Sequence, residues 1–241
     1  MSFAHPPAYQ PLPLPHHISK SDKDMHLASA AFLETMKMRH TVRDFATKPV
    51  PRAVIERCVQ AAGLAPSGAN HQPWHFVAIG DRALKSRIRA AAEREEERFY
   101  QGGASDAWLK ALEPIGTTAS KPHLEAAPWL IVIFAQRYGR RADGQRYKHY
   151  YVPESVGIAT GILIVALHNA GLSMLTHTPN PMKFLNATLG RPDAEKPVMI
   201  LAVGHAHARA TIPAAAKIKK PLADILSVYP GESPPDPPLR S

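Results

Sequence analysis

The 241-residue sequence predicts an α+β fold in which helices cover a sheet. Three observations carry that reading. Apolar runs at 76–79, 128–134 and 198–204 have the length and the Val, Ile and Phe content of buried strands. Segments with apolar residues at helical spacing stand between and around those runs, so the two kinds of element intermix. A chain of this length buries a full core and no internal repeat is present, which favours one compact domain with appendages.

Taken in order, residues 1–26 carry prolines and histidines without periodicity and read as a flexible arm. The main domain, 27–229, opens with a helix over 27–38. It ends in Arg39-His40-Thr41-Val42-Arg43-Asp44-Phe45, where two guanidinium forks flank a hydroxyl: an anion site, or surface arginines paired with Asp44. A helix over 52–62 stops at Gly63 and Pro66. The loop that follows holds Ser67, Asn70, His71 and Gln72 before the strand at 76–79, and reads as either an ordinary turn or a ligand loop. A long helix is predicted over 83–100. In it Glu96 and Tyr100 share a face, offering a carboxylate and a phenol to a ligand or forming part of a solvated charged face.

Residues 101–122 lack sustained apolar periodicity and read as a mobile segment of the kind used as a lid. The strand at 128–134 precedes a polar loop over 137–148 and a core helix over 153–170. A short strand at 172–175 then presents Thr176-His177-Thr178-Pro179, and a helix over 182–189 leads to the last strand at 198–204. Residues 230–241 form a Pro-rich tail.

Composition narrows the function classes. The net charge of +9 suits an anionic ligand or general solubility, but the basic residues are scattered, so no nucleic acid partner is expected. The single Cys58 excludes an intrachain disulfide and suits a reducing compartment. No segment resembles a secretory signal, and the apolar run at 156–167 is shorter than the roughly 20 residues a bilayer needs. A soluble, cytoplasmic protein without a membrane partner is therefore expected. Metal-ligand spacing, dinucleotide and triphosphate glycine loops and the Gly-x-Ser-x-Gly elbow are all missing.

Several motifs together resemble the flavin-dependent nitroreductase superfamily over about residues 38–229. They are Arg39-His40-Thr41-Val42-Arg43, Ala65-Pro66-Ser67-Gly68-Ala69 with Gln72-Pro73-Trp74, His149-Tyr150-Tyr151, Thr176-His177-Thr178-Pro179, Leu189-Gly190-Arg191-Pro192 and Lys219-Lys220-Pro221-Leu222. Glu96, Tyr100 and Lys121 together resemble its iodotyrosine deiodinase branch. The resemblance implies a mainly antiparallel sheet in a domain-swapped homodimer with FMN at the interface. Arg39, His40, Thr41, Arg43 and Lys219 would hold the phosphate and ribityl chain. Pro66, Ser67, Gly68, Thr176, His177 and Thr178 would line the flavin, with Thr178 on its N5 in favour of single-electron steps. Lys219 stands where the family usually has Arg, which keeps the charge but loses the fork. His40 and His177 also depart from the pattern.

The resemblance further implies that Glu96 takes the ammonium and Lys121 the carboxylate of a halotyrosine, with Tyr100 bonded to the same head group. The Ala69 backbone N–H would face the phenolate oxygen. The implied activity is FMN-dependent reductive dehalogenation of a halotyrosine or related halophenol. Electrons would come from an NAD(P)H-linked reductase or a reduced flavin carrier. Two alternatives are a broad NAD(P)H-dependent nitroreductase or quinone reductase, and a non-catalytic flavin or ligand sensor.

Overall fold

A computed structural model describes residues 9–141 and 143–229. The tail at 230–241 and the first eight residues of the arm lie outside them. Residues 9–20 are exposed and carry no regular element.

The helices are α1 (Asp22–Lys37), α2 (Arg52–Gly63), α3 (Arg82–Arg98), α4 (Asp106–Leu112), α5 (His123–Ala126), α6 (Val152–Asn169) and α7 (Phe184–Leu189). The strands are β1 (Trp74–Ile79), β2 (Trp129–Gln136), β3 (Tyr138–Arg140), β4 (Arg146–Lys148), β5 (Ser173–His177) and β6 (Glu195–Gly204). The main sheet runs β1-β2-β6-β5 with every neighbouring pair antiparallel. Outside β5, Thr41 forms a parallel bridge to Met174, and the Val42 N–H donates to Met174 O.

The two sheet faces bury alternate residues of the same strands, as a two-residue side-chain period requires. Ile131, Ile133, Leu201 and Val203 pack with Ile55 and Cys58 of α2 and Leu163 and Leu167 of α6. Leu130, Val132, Phe134, Ile200 and Ala202 pack on the other side with Ile88 and Ala92 of α3 and Leu185 of α7. Covering both faces explains why β2 is apolar without alternation. Burial also pushes the Cys58 thiol up, which keeps it protonated among its apolar neighbours.

Three segments differ from the sequence expectation. Helix α1 begins at Asp22, inside the predicted arm, because Ser21 caps it by accepting from the Asp24 N–H, with Asp22 and Asp24 in the first turn. The span 101–122 is not irregular. Ser105 caps α4, a short 3₁₀ turn at Glu113–Ile115 follows, and Lys121 is buried. The predicted loop at 137–148 contains the β3–β4 hairpin. Gly139 permits it, since a Cβ there would lie 2.1 Å from Tyr147 Cζ. Helix α6 is long and apolar enough by length and composition to cross a bilayer. Its Val156, Ala159, Leu163 and Leu167 nevertheless pack into the core, while Gly157, Ile158 and Gly161 stay exposed.

Candidate functional site

Helix α3 carries an inward stripe of Lys85, Ile88 and Ala92, and one turn further on that stripe reaches Glu96. The helix then opens into a wide turn at Phe99–Gly103, with Gly102 at φ +127°. From this turn the Tyr100 hydroxyl donates to Thr117 O at 3.0 Å. Lys121 enters from the other side, with its Nζ 3.0 Å from Glu96 Oε2. It also donates to Thr117 Oγ1 at 3.1 Å and to Thr118 O, and sits 5.9 Å from the centre of the Tyr100 ring. One turn before Glu96, Glu93 accepts the Lys121 backbone N–H at 2.6 Å. Burial alone would raise the Glu93 carboxyl, but that N–H and the Arg89 guanidinium outweigh it and hold it below the usual range. Two successive turns of α3 therefore fix the backbone and the side chain of Lys121. The sequence prediction brought Glu96, Tyr100 and Lys121 together, and the structure does too.

Two imidazoles lie beneath this group. His177 Nε2 is 3.9 Å from Glu96 Oε1, and the His177 and His123 rings meet edge to face at 5.9 Å. Burial pushes His177 down to about 3, with Lys121, His123 and Arg43 adding unfavourable positive charge. Burial and the charges of Lys121 and Arg43 push His123 down to about 4, against a small opposing effect of Glu93. Both rings are neutral at pH 7, so His177 and Glu96 form no ion pair, and 3.9 Å is too long for a hydrogen bond. The Nε2 atoms of both rings are buried and have no partner among the described residues. Strand alternation turns His177 inward, whereas Thr176 and Thr178 are exposed.

The bridge between Thr41 and Met174 lays residues 39–43 along the outer edge of β5. Arg39, His40, Thr41 and Arg43 are half-buried. Among the described residues no carboxylate lies within 4 Å of either guanidinium, so the expected alternative of pairing with Asp44 is not realised. Lys219 is exposed and donates to Ala216 O at 2.8 Å; nothing in the described contacts ties it to this edge.

The loop after α2 forms a second group. Ser67 and Gly68 pack against the start of α6: the Gly68 N–H donates to Ser155 Oγ at 3.3 Å, and a Cβ at Gly68 would lie 2.6 Å from Tyr150 O. Ala69, Asn70 and Gln72 all have positive φ near 50°, a costly conformation for residues other than glycine. The N–H groups of Asn70, His71 and Gln72 are taken by Ser67 O, Gly68 O and Ser67 Oγ respectively. The Ala69 N–H is left without an acceptor among the described residues and is presented at the surface. Pro66 is exposed at the start of this loop. Among the described residues, no hydrogen bond or ion pair joins the loop to the Glu96–Lys121 group.

Sequence reasoning missed His123, Glu93, Thr117 and Ser155. Only His123 had a signal, two residues after Lys121. A cavity of about 790 Å³ beside β2, lined by Val50, Lys85, Arg89, Pro122, Pro128 and Trp129 among others, contains none of the expected site residues.

An antiparallel sheet covered on both faces, an edge with arginines unpaired among the described residues, and a buried amine on a half-buried carboxylate define the class. The chain belongs to the nitroreductase family, whose family model matches residues 36–205. It is 48% identical over 191 residues to the iodotyrosine deiodinase of Haliscomenobacter hydrossis, spanning 79% of this chain and 86% of that protein. With the human iodotyrosine deiodinase 1 it shares 41% identity over 211 residues, 87% of this chain and 72% of the other. Among solved structures it resembles oxidised iodotyrosine deiodinase bound to FMN and 3-iodo-L-tyrosine, at a TM-score of 0.67 and 29% identity, covering 83% of this chain and 98% of that one. A BluB-like flavoprotein from Clostridium difficile 630 shares the fold at a TM-score of 0.62 and 21% identity, covering 83% of this chain and 99% of the other.

Proposed function

We propose that this protein is an FMN-dependent oxidoreductase that removes halide from a halotyrosine or a related halophenol, acting as a homodimer in the cytoplasm. The observation that carries the reading is the pair of the half-buried Glu96 and the buried Lys121, with the Tyr100 hydroxyl beside it. Lys121 is 3% exposed, and two opposite charges held together in such a place match a ligand that itself carries two opposite charges. The ligand's ammonium takes the place of Lys121 Nζ on Glu96, and its carboxylate takes the place of Glu96 on Lys121. Each exchanged contact is a charge-assisted hydrogen bond worth about 1.5–3 kcal/mol.

The residues fit the cofactor. Arg39 and Arg43 are half-buried cations without carboxylate partners among the described residues, as a phosphate site requires, and Thr41, Thr176 and Thr178 bring hydroxyls to the same edge. Bound and reduced, FMN supplies the two electrons that, with one proton, turn a carbon–halogen bond into a carbon–hydrogen bond and a free halide ion. The chain's own part is to bind and orient. Ala69 offers its unused N–H to the phenolate oxygen, and Glu96, Tyr100 and Lys121 hold the head group away from water. Thr178 is assigned to the flavin N5.

In a homodimer, the Ser67–Ala69 loop of one copy would complete the site at the Glu96–Lys121 group of the other; the lack of any hydrogen bond or ion pair between these groups among the described residues supports that reading. Helix α1 buries no residue and exposes Leu27, Phe32 and Leu33, and residues 218–229 expose Ile218, Leu222, Ile225 and Val228. Apolar surface on that scale calls for a partner. The lone buried Cys58 suits the cytoplasm. An NAD(P)H-linked reductase or a reduced flavin carrier would supply the electrons.

The test is turnover of 3-iodotyrosine by the FMN-loaded protein with dithionite as reductant. Release of iodide and tyrosine, lost in Glu96→Gln, is expected. Reduction of nitroaromatics with NAD(P)H, indifferent to Glu96→Gln and without iodide release, would instead make this a general nitroreductase.

A further inference from the structure

We propose that His177 is a second acceptor for the ligand's ammonium, so that this chain selects for a primary amine rather than for the halogenated phenol alone. This rests on the halotyrosine reading above. Glu96 presents two oxygens: Oε2 accepts Lys121 Nζ at 3.0 Å, and Oε1 faces His177 Nε2 at 3.9 Å. An ammonium that donates two bonds of about 2.9 Å at near-tetrahedral angles spans acceptors about 4.7 Å apart. At 3.9 Å, Glu96 Oε1 and His177 Nε2 are too far apart for a direct bond, and they would have to part by under about 1 Å for one ammonium to bridge them.

His177 is 8% exposed, and its Nε2 is buried with no partner among the described residues. An unpaired buried polar atom is destabilising, a loss that a donor arriving with the ligand would recover. The charged groups facing the ring are Glu96, Lys121 and Arg43, with His123 packed on its edge. Burial above all, and then the positive charge of Lys121 and Arg43, keeps His177 neutral, and in the tautomer with the proton on Nδ1 its Nε2 is a lone-pair acceptor. In the free protein the Lys121 ammonium holds the other oxygen of Glu96, Oε2. As Lys121 swings to the ligand's carboxylate, the ligand's ammonium replaces it as the charge partner of Glu96, on the Oε1 side that faces His177.

The experiment is calorimetric titration of the FMN-loaded protein with two ligands, 3-iodotyrosine and 3-(4-hydroxy-3-iodophenyl)propionate, which keeps the ring and carboxylate but lacks the amine. His177→Leu should weaken iodotyrosine binding about tenfold, a loss of about 1.4 kcal/mol, and leave the propionate within twofold. His177→Asn, which keeps an acceptor, should recover most of the loss and controls for misfolding. Equal weakening of both ligands, or of neither, overturns the role of His177 while leaving the halotyrosine reading intact. Failure of the unmodified protein to bind iodotyrosine overturns both.

Discussion

Lys121 Nζ lies 3.0 Å from Glu96 Oε2, with only 4% and 14% of the two side chains exposed. Two charges drawn from segments 25 positions apart are thus removed from water together. Removing one partner leaves the other buried and uncompensated, which typically costs about 3–5 kcal/mol. Glu96→Gln is therefore expected to lower stability by up to that amount and to weaken 3-iodotyrosine binding at least about 100-fold. The double variant Glu96→Gln with Lys121→Met should regain most of the stability, measured by urea unfolding, but none of the binding. Recovery of binding in the double variant would contradict the exchange of partners proposed for the ligand.

The guanidinium groups at the edge of β5, unpaired among the described residues, make a separate prediction. Arg43→Ala should weaken FMN binding about 10- to 100-fold, since a charge-assisted bond to phosphate is worth about 1.5–3 kcal/mol. Lys219→Arg should tighten it a few-fold by restoring a fork. Both are read from flavin fluorescence on titrating the apoprotein. If Lys219→Arg has no effect, Lys219 does not reach the phosphate.

Gly68 is held by close approach rather than by its dihedral angles. A methyl group there would meet Tyr150 O at 2.6 Å and the Tyr151 ring at 3.0 Å, so Gly68→Ala should cost about 1–3 kcal/mol through displacement of the loop. The thermal midpoint measures the cost. Because Ala69 rides on the same loop, the iodotyrosine affinity should fall along with it.

The buried histidines set a pH dependence. His177 and His123 sit at about 3 and about 4 in the folded chain, below their ordinary value of 6.5. Stability from a depressed group is complete above its unfolded value and is lost as pH falls. Between pH 6.5 and about 4 the unfolded chain takes up protons that the folded chain refuses, so unfolding becomes easier. The urea midpoint should drop steadily across that window. The double variant His123→Leu with His177→Leu should reduce the slope without abolishing it, because burial also lowers His75 and His149.

Much of this was legible in the sequence, and the exceptions have physical causes. The strands at 128–134 and 198–204 were readable because burial on both faces leaves no polar residue to interrupt them, and the half-buried edge strand at 76–79 because its four residues are all apolar. Glu96, Tyr100 and Lys121 were recognisable as a set only through the family resemblance, since nothing local in 101–122 announces that Lys121 returns to α3. The β3–β4 hairpin escaped notice because its strands are three residues long and rest on one close contact, that of Gly139 with Tyr147. His177 was expected to line the flavin through the family resemblance alone. That strand alternation turns its ring toward Glu96 was invisible without knowing which face of β5 is covered. His123 was missed although it stands two residues after Lys121, because the sequence does not show that its ring meets His177.

The most direct test is anaerobic mixing of the FMN-loaded protein, reduced in advance, with 3-iodotyrosine while the flavin absorbance and the free iodide are followed together. The account predicts that the flavin is reoxidised with one iodide released per flavin. A flavin that stays reduced, with no iodide in solution, would contradict it.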